Sequence, residues 1–250
     1  MSRPDPIISP AIITRVKEFG ESDLLVTFFT RESGFQKGVA KGARRSLKRF
    51  VNCLDAFCLA SLEYTPKKQG DLCFIHSGKL LEAHQGLRSE YGSFSRASFI
   101  VELAETLFPP GVSDPRVFDL LKDSLKALSD EGGNILIPIT FEARAMAIGG
   151  YRINLEKCCI CGRAYKGEGR AVFVREKGGI SCLGCRQESA LSPGMEPESI
   201  RALRQMQDND LGQLKGLDLS GGCLKEIKNV LKLHREYRLE KRLKTAKFLD

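Results

Sequence analysis

Four cysteines of this sequence are arranged in two C-x-x-C pairs. Cys158 and Cys161 form the first pair, and Cys182 and Cys185 follow after a further twenty residues. A C-x-x-C turn directs two thiolates to one point, and two such turns supply the four soft ligands that tetrahedral Zn²⁺ prefers. Because four thiolates close the coordination shell and no histidine lies nearby in sequence, the pattern predicts one structural zinc ion per chain.

Thiol redox chemistry and disulfide bonds are the two other uses of paired cysteines. A redox pair stands at the start of a helix in a βαβ context, and no such pattern surrounds these pairs. The nine cysteines of the chain cannot all pair within it, and the cytosol keeps thiols reduced. Zinc is therefore favoured over redox chemistry, and disulfides come last. Cys159, a fifth thiol beside the first pair, is left outside the ligand set.

The segments before the cysteines change from strand-like to helix-like. The first 82 residues contain five β-rich segments separated by short turns, which predicts a small antiparallel barrel of the OB type. Helical spacing of apolar residues follows, most clearly after Ser113 or Asp114, either of which can cap a helix that begins with Pro115. Pro138 predicts either a helix start or a kink.

The predicted fold class is α+β and multidomain: an N-terminal OB-fold barrel, then an α-helical domain with an inserted four-cysteine zinc element. A strand over Arg170–Arg175 and a turn over Lys177–Gly179 predict a hairpin between the two C-x-x-C pairs. A long amphipathic helix is predicted from about Cys223 to Phe248. The predicted domains are the barrel over 1–82, the first part of the helical domain over 83–154, the zinc element over 155–190 and C-terminal helices that complete the helical domain over 191–250.

Positive charge is concentrated in two segments of a chain whose net charge is +8. Residues 35–50 contain six Lys/Arg and no acid, and residues 223–250 contain nine Lys/Arg against four acids. Glycines in the first segment leave the backbone open to a phosphate chain, so nucleic acid is the indicated partner. The predicted DNA contacts are Lys37, Lys41, Arg44, Arg45, Lys48 and Arg49.

Two questions about the basic segments stay open in the sequence. Phe35 and Phe50 flank the first segment, where they can either stack on bases or pack in the core. The C-terminal basic helix can be a docking helix with a charged outer face or a second DNA contact.

Catalysis and membrane insertion have no support in the sequence. There is no Walker loop, no nucleophile elbow and no convincing Cys/His pair, so we predict that the protein is not an enzyme. Glu21 and Asp23 could bind Mg²⁺ as in nucleases, although such residues usually serve the turn itself. Neither a signal peptide nor an apolar run of membrane-helix length is present, which predicts a soluble, cytoplasmic protein.

The order of these parts resembles the bacterial RecO family of recombination mediators. The resemblance spans essentially the whole chain and rests on "GESDLLVTFFTRESGFQKGVAKGARR", on "ASFIVELAETLF" with "DPRVFDLLKDSLKAL", and on "FEARAMAIGGYRINLEKCCICG" followed by "GGISCLGC". It implies an OB-fold, a helical domain completed by the C-terminal helices, and a zinc element whose four ligand positions all match here. It also implies a place at the bacterial nucleoid.

The resemblance further implies a function in DNA repair and homologous recombination. It implies binding of single- and double-stranded DNA, annealing of complementary strands, and partnership with RecR and with the C-terminal tail of single-stranded-DNA-binding protein. Help in loading RecA is also implied. Two alternatives remain: a zinc-ribbon protein that acts on RNA or in transcription, and a metal-dependent nuclease that uses Glu21 and Asp23.

Overall fold

A computed structural model describes residues 5–66, 72–132, 134–214 and 216–249. The chain divides into two compact units, the first ending at Asn134 and the second beginning at Ile135. The first unit contains strands β1 (Ile7–Phe19), β2 (Asp23–Thr30), β3 (Gly34–Ala40), β4 (Leu59–Thr65) and β5 (Cys73–Glu82) and helices α1 (Gly86–Ser89), α2 (Tyr91–Leu107) and α3 (Pro115–Asp130). The second contains helix α4 (Leu136–Ile148), strands β6 (Ala171–Val174), β7 (Gly179–Cys182) and β8 (Gly194–Met195), and helices α5 (Pro197–Asp208) and α6 (Gly221–Leu239).

The five strands of the first unit form a closed barrel in the order β1-β2-β3-β5-β4. The β3–β5 pair is parallel and the other pairs are antiparallel. Alternate residues point inward, as Ala60, Leu62 and Tyr64 do in β4, because successive strand side chains face opposite sides. The edge of the Phe28 ring packs on Tyr64 with 5.2 Å between centroids. The predicted OB-like barrel and the α+β class are confirmed.

The helices of the first unit pack against the outside of the barrel. Helix α3 begins as predicted: Asp114 is the N-cap and accepts a hydrogen bond from the Arg116 N–H, and a proline occupies the first turn. Phe118 of α3 stacks on Phe29 of β2 at 6.4 Å between centroids. At Gly34, whose φ is 64°, an added Cβ would lie 2.1 Å from a backbone oxygen, so this contact requires glycine.

The second unit packs its helices around a three-stranded sheet in the order β7-β6-β8. The predicted hairpin between the C-x-x-C pairs is present as β6 and β7, with the turn just before Gly179. Pro138 lies in the first turn of α4, so it marks the helix start. The sheet, α5 and α6 share one apolar core that includes Phe173, Leu203 and Ile227.

Helix α6 ends at Leu239, so the prediction that it continues to about Phe248 is wrong. Glu240 has φ 48°, in the left-handed region that stops a helix, and the chain turns there. The turn allows Leu243 and Leu249 to be buried, at 5% and 7% exposure, which a continuing straight helix would not. A short 3-10 helix follows over Ala246–Phe248.

A buried ion pair joins α4 to α6. Arg235 Nη1 donates to Glu142 Oε1 at 2.5 Å, and the two side chains are 5% and 2% exposed. Burial raises the pKa of the Glu142 carboxyl, and the Arg235 charge opposes that rise.

The finer division into four domains stays a prediction. In the ranges that the structure covers, no helix combines the length and apolar character needed to cross a bilayer.

Candidate metal centre and nucleic-acid interface

The four predicted cysteine ligands come together in the second unit. The Sγ atoms of Cys158, Cys161, Cys182 and Cys185 all lie within 4.8 Å of one another, and the Cys161 and Cys182 sulfurs are 3.9 Å apart. Four thiolates at about 2.3 Å from a tetrahedral metal lie about 3.8 Å from each other. The donor set and its spacing therefore fit a four-coordinate, thiolate-bound metal.

Backbone N–H groups stabilise the charge of one ligand. The N–H groups of Cys161 and Cys182 both donate to Cys158 Sγ at 3.4 Å. Burial opposes ionisation of the Cys158 thiol, but these hydrogen bonds, with those from Ile160 and Ser181, lower its pKa to about 5. Contacts among the thiols act oppositely on Cys185, whose pKa rises to about 12 through hydrogen bonds with Cys182 and Cys161.

The β6–β7 hairpin positions the two C-x-x-C turns. Cys182 is the last residue of β7 and pairs with Ala171 of β6, and Cys185 lies in the turn that follows. The Cys159 N–H donates to the Ile180 carbonyl at 2.7 Å, which ties the first C-x-x-C turn to β7. The Cys159 thiol is not a member of the four-sulfur group. Cys159 therefore contributes to the site through its backbone N–H, which bonds to the Ile180 carbonyl.

Among the residues that the structure describes, the four cysteines are the only group of three or more His, Cys, Asp or Glu side chains placed to hold a metal ion. Asp23 uses Oδ1 to accept a hydrogen bond from the Gly42 N–H at 2.8 Å. Gly42 has φ 65° and precedes the short 3-10 helix Ala43–Arg45. The Asp23 carboxylate thus fixes the start of the basic loop.

All six predicted DNA contacts are exposed on the barrel or on the loop that leaves it. Lys37 lies on β3, and Lys41, Arg45 and Lys48 lie on the loop after it. These four side chains make no ion pair within the described part of the chain. Their contact with DNA stays a prediction, but their charge is uncompensated and open to solvent.

The other two arginines of the set hold the loop on the barrel. Arg44 pairs with Glu18 at 3.1 Å and donates to the Glu21 carbonyl at 3.3 Å. Arg49 donates to the Lys41 carbonyl at 2.6 Å and to the His76 carbonyl at 3.4 Å. Both therefore have a structural use in addition to their charge.

Phe35 and Phe50 belong to the core, so the stacking alternative for them is wrong. They are 3% and 7% exposed, and Phe35 packs edge-on against Phe29. Phe74 and His76 on β5 are instead two aromatic groups that the barrel presents outward, both half-buried and in contact at 4.8 Å between ring centroids. Strand alternation in "CFIHS" could have revealed them, because Cys73 and Ile75, which alternate with them, face inward.

A second row of polar side chains lies beside β3, along the outer face of β1 and β2. A groove of about 380 Å³ is lined by residues that include Lys17, Thr27 and Lys37. Thr27 pairs with Lys37 across β2 and β3 and with Arg15 across β1 and β2. Arg15 forms an ion pair with Glu105, whereas Lys17 is an additional cation in this groove. Lys17 lies outside the basic segment 35–50, so a search for clustered basic residues in the sequence misses it.

Comparison with known proteins matches both parts of the chain. The family model described as recombination protein O N terminal matches residues 5–84, and the one described as recombination protein O C terminal matches residues 88–247. The chain belongs to the recombination protein O family. The RecO resemblance expected from the sequence is confirmed.

Individual relatives carry the same name. The DNA repair protein RecO of Syntrophobacter fumaroxidans is 35% identical over 204 residues, which cover 82% of this chain and 75% of that protein. The DNA repair protein RecO of a Thermoanaerobacter species is 28% identical and covers 96% of this chain and 95% of its own length. The DNA repair protein RecO of Anaeromyxobacter strain K is 30% identical, and the match covers 98% of this chain and 96% of that protein.

Proposed function

We propose that this chain is a RecO-type mediator of DNA repair and homologous recombination that binds DNA on its barrel and anneals complementary strands without covalent chemistry. The observation that carries the proposal is the uncompensated charge of Lys37, Lys41, Arg45 and Lys48 on one β-strand and its loop. Family membership supports the same conclusion. The relatives named DNA repair protein RecO cover most of this chain.

The barrel surface offers what sequence-independent binding of DNA needs. Lysine and arginine side chains neutralise phosphates and release counterions, and this term does not depend on base sequence. Phe74 lies beside Lys41, whose Nζ is 6.0 Å from the ring centroid, and a half-exposed ring of this kind can stack on a base. Phosphates on the lysines and bases on Phe74 and His76 would hold a single strand with its bases ordered.

Annealing follows from charge neutralisation. Two complementary strands repel each other through their phosphates, and a surface that neutralises part of that charge lowers the barrier to their encounter. The barrel cations need only bind and release, so no general acid, base or nucleophile is required. The proposal includes that the protein is not an enzyme and that it acts in the bacterial cytoplasm at the nucleoid.

Protein partners are part of the proposal through family membership alone. They are RecR, the C-terminal tail of single-stranded-DNA-binding protein, and RecA, which is loaded indirectly. That tail is expected to be acidic with an apolar end, so its site should combine basic and apolar side chains.

The four-cysteine site is proposed to hold one structural Zn²⁺. The support is the donor set of four thiols with sulfur spacing suited to tetrahedral coordination. A bound zinc would neutralise the clustered thiolates and fix the two turns around the β6–β7 hairpin. Elemental analysis of the purified chain should find about one zinc per chain, since one tetrahedral site takes one ion. A chain that purifies folded and free of metal would contradict this assignment.

The function is tested by the annealing rate of fluorescently labelled complementary oligonucleotides, both bare and coated with the cognate single-stranded-DNA-binding protein. The protein is expected to accelerate both reactions at low salt and to lose the effect as salt rises. No acceleration in either reaction would contradict the proposal. Tight binding of structured RNA without DNA annealing would favour the RNA alternative, and Mg²⁺-dependent cleavage lost on Asp23→Ala would favour the nuclease.

A further inference from the structure

Helix α6 and the chain that follows it enclose a groove in the second unit. The groove has a volume of about 1000 Å³. Seven cations line it. Arg170 and Arg235 pair with acids, and the other five are Lys225, Lys228 and Lys232 from α6, and Arg242 and Lys247 from the segment after the helix. We call this feature the α6 groove.

The fold brings these cations together from two sides. Lys225, Lys228 and Lys232 share one side of α6 because residues three, four and seven apart lie above one another on a helix. The left-handed Glu240 reverses the chain, and the buried Leu243 anchors the returning segment. Residues far apart in an extended helix thereby line a single concave surface.

Three of the four acids that line the groove have an arginine partner, and the fourth, Glu236, forms no ion pair in the described part of the chain. Glu188 and Glu226 pair with Arg170 at 2.9 and 3.6 Å, and Glu142 pairs with the buried Arg235. No carboxylate partner is found for the five cations among residues 134–214 and 216–249. Because seven Lys/Arg and four acids line the groove, it presents an excess of positive charge to solvent.

We infer that the α6 groove is a second polyanion site, separate from the barrel, and that it binds the phosphate backbone of nucleic acid. An acidic peptide would present the same charge, but it usually anchors an apolar side chain as well. The apolar residues that line the groove are already buried, as Leu231, Leu243 and Leu249 show at 2%, 5% and 7% exposure. These three leucines therefore offer little surface to such an anchor, whereas phosphates need only the cations.

The second site has a consequence for annealing that rests on the proposed function. One chain with two separate phosphate-binding surfaces can hold two strands at the same time. Phosphate binding in the α6 groove does not itself require the barrel to bind DNA.

The test removes two exposed charges from the groove. In the double variant Lys225→Gln/Lys232→Gln, the affinity for an oligo(dT) strand is measured by fluorescence anisotropy over a range of salt concentrations. The slope of log affinity against log salt should fall by about 1.4, since each lost phosphate contact lowers it by about 0.7 for a single strand. The matched control is Lys166→Gln/Arg201→Gln, which removes the same charge from exposed positions of the second unit outside the groove and should leave the slope unchanged.

The outcomes separate this inference from the proposed function. A groove variant whose slope equals that of the wild type, or an equal loss in the control variant, overturns the inference. Binding of oligoglutamate with the same charge as the DNA strand is measured in parallel. If the groove variant loses oligoglutamate binding but keeps oligo(dT) binding, the groove is a peptide site and the inference is overturned. The barrel variant Lys37→Gln/Lys41→Gln reports on the proposed function independently, because those residues lie outside the groove.

Discussion

His234 is expected to make the protein less stable as the pH falls below neutrality. This residue of α6 is 1% exposed, and its Nε2 lies 2.7 Å from the Tyr151 carbonyl, to which it donates. Its ring also packs edge-on against Phe173 of the zinc-element hairpin, with 5.9 Å between centroids. Burial, opposed by that hydrogen bond and aided by the nearby Arg238 charge, lowers the pKa of His234 from 6.5 to about 4.

The sign and size of the effect follow from this difference in pKa. Between pH 6.5 and pH 4 the unfolded chain binds a proton at His234 that the folded chain does not, so the free energy of unfolding falls as the pH is lowered. The contribution is nearly complete above pH 6.5. Between pH 7 and pH 5 the loss is about 2 kcal/mol, since one pKa unit corresponds to about 1.36 kcal/mol.

Urea unfolding at pH 7 and pH 5 measures this loss when wild type is compared with His234→Gln. Glutamine can still donate a hydrogen bond but does not titrate, so the variant should lose about 2 kcal/mol less than wild type between the two pH values. The cysteine ligands and Glu142 titrate in both proteins, so their contributions cancel in the comparison. Equal losses in the two proteins would refute the conclusion that His234 is held neutral by burial.

Three further predictions follow from the site and from the ion pairs. Cys161→Ser should remove most of the bound zinc, measured by atomic absorption, and an undiminished zinc content would contradict the ligand assignment. Arg235→Met leaves Glu142 buried without its cation and should lower the free energy of unfolding, measured with urea, by about 3–5 kcal/mol. The double variant Arg235→Met/Glu142→Leu should regain most of this loss. A double variant as unstable as Arg235→Met would contradict the reasoning. Arg45→Gln should lower the slope of log affinity for duplex DNA against log salt by about 0.9 without loss of stability. Arg44→Gln should also lower the melting temperature, because Arg44 holds the loop on the barrel. Equal melting temperatures of the two variants would contradict this structural difference between Arg44 and Arg45.

The features that sequence predicts best are those fixed by local spacing. The C-x-x-C turns, the hairpin between them and the Asp114 cap each depend on residues a few positions apart, and all are present. The five-stranded barrel was also accessible, because alternating apolar residues and short turns leave few other arrangements.

The features that sequence misses depend on contacts between distant segments. Arg49 is tied to the His76 carbonyl, 27 residues away, so its structural use has no local signal. The sequence does not indicate the end of α6, because burial of Leu243 and Leu249 overrides a helical pattern that continues in the sequence. The sequence leaves Phe35 open for a similar reason, since its burial depends on packing against Phe29 of β2, which in turn stacks on the distant Phe118.

The central claim is that the uncompensated cations of the barrel bind DNA and accelerate annealing. The most direct measurement compares annealing of complementary strands coated with single-stranded-DNA-binding protein by the wild type, by Lys37→Gln/Lys41→Gln/Arg45→Gln/Lys48→Gln, and by the control Lys166→Gln/Arg201→Gln. The barrel variant should anneal at least about tenfold more slowly than wild type, because four phosphate contacts are lost, while the control keeps most of the rate. A barrel variant that anneals as fast as the wild type would contradict the claim.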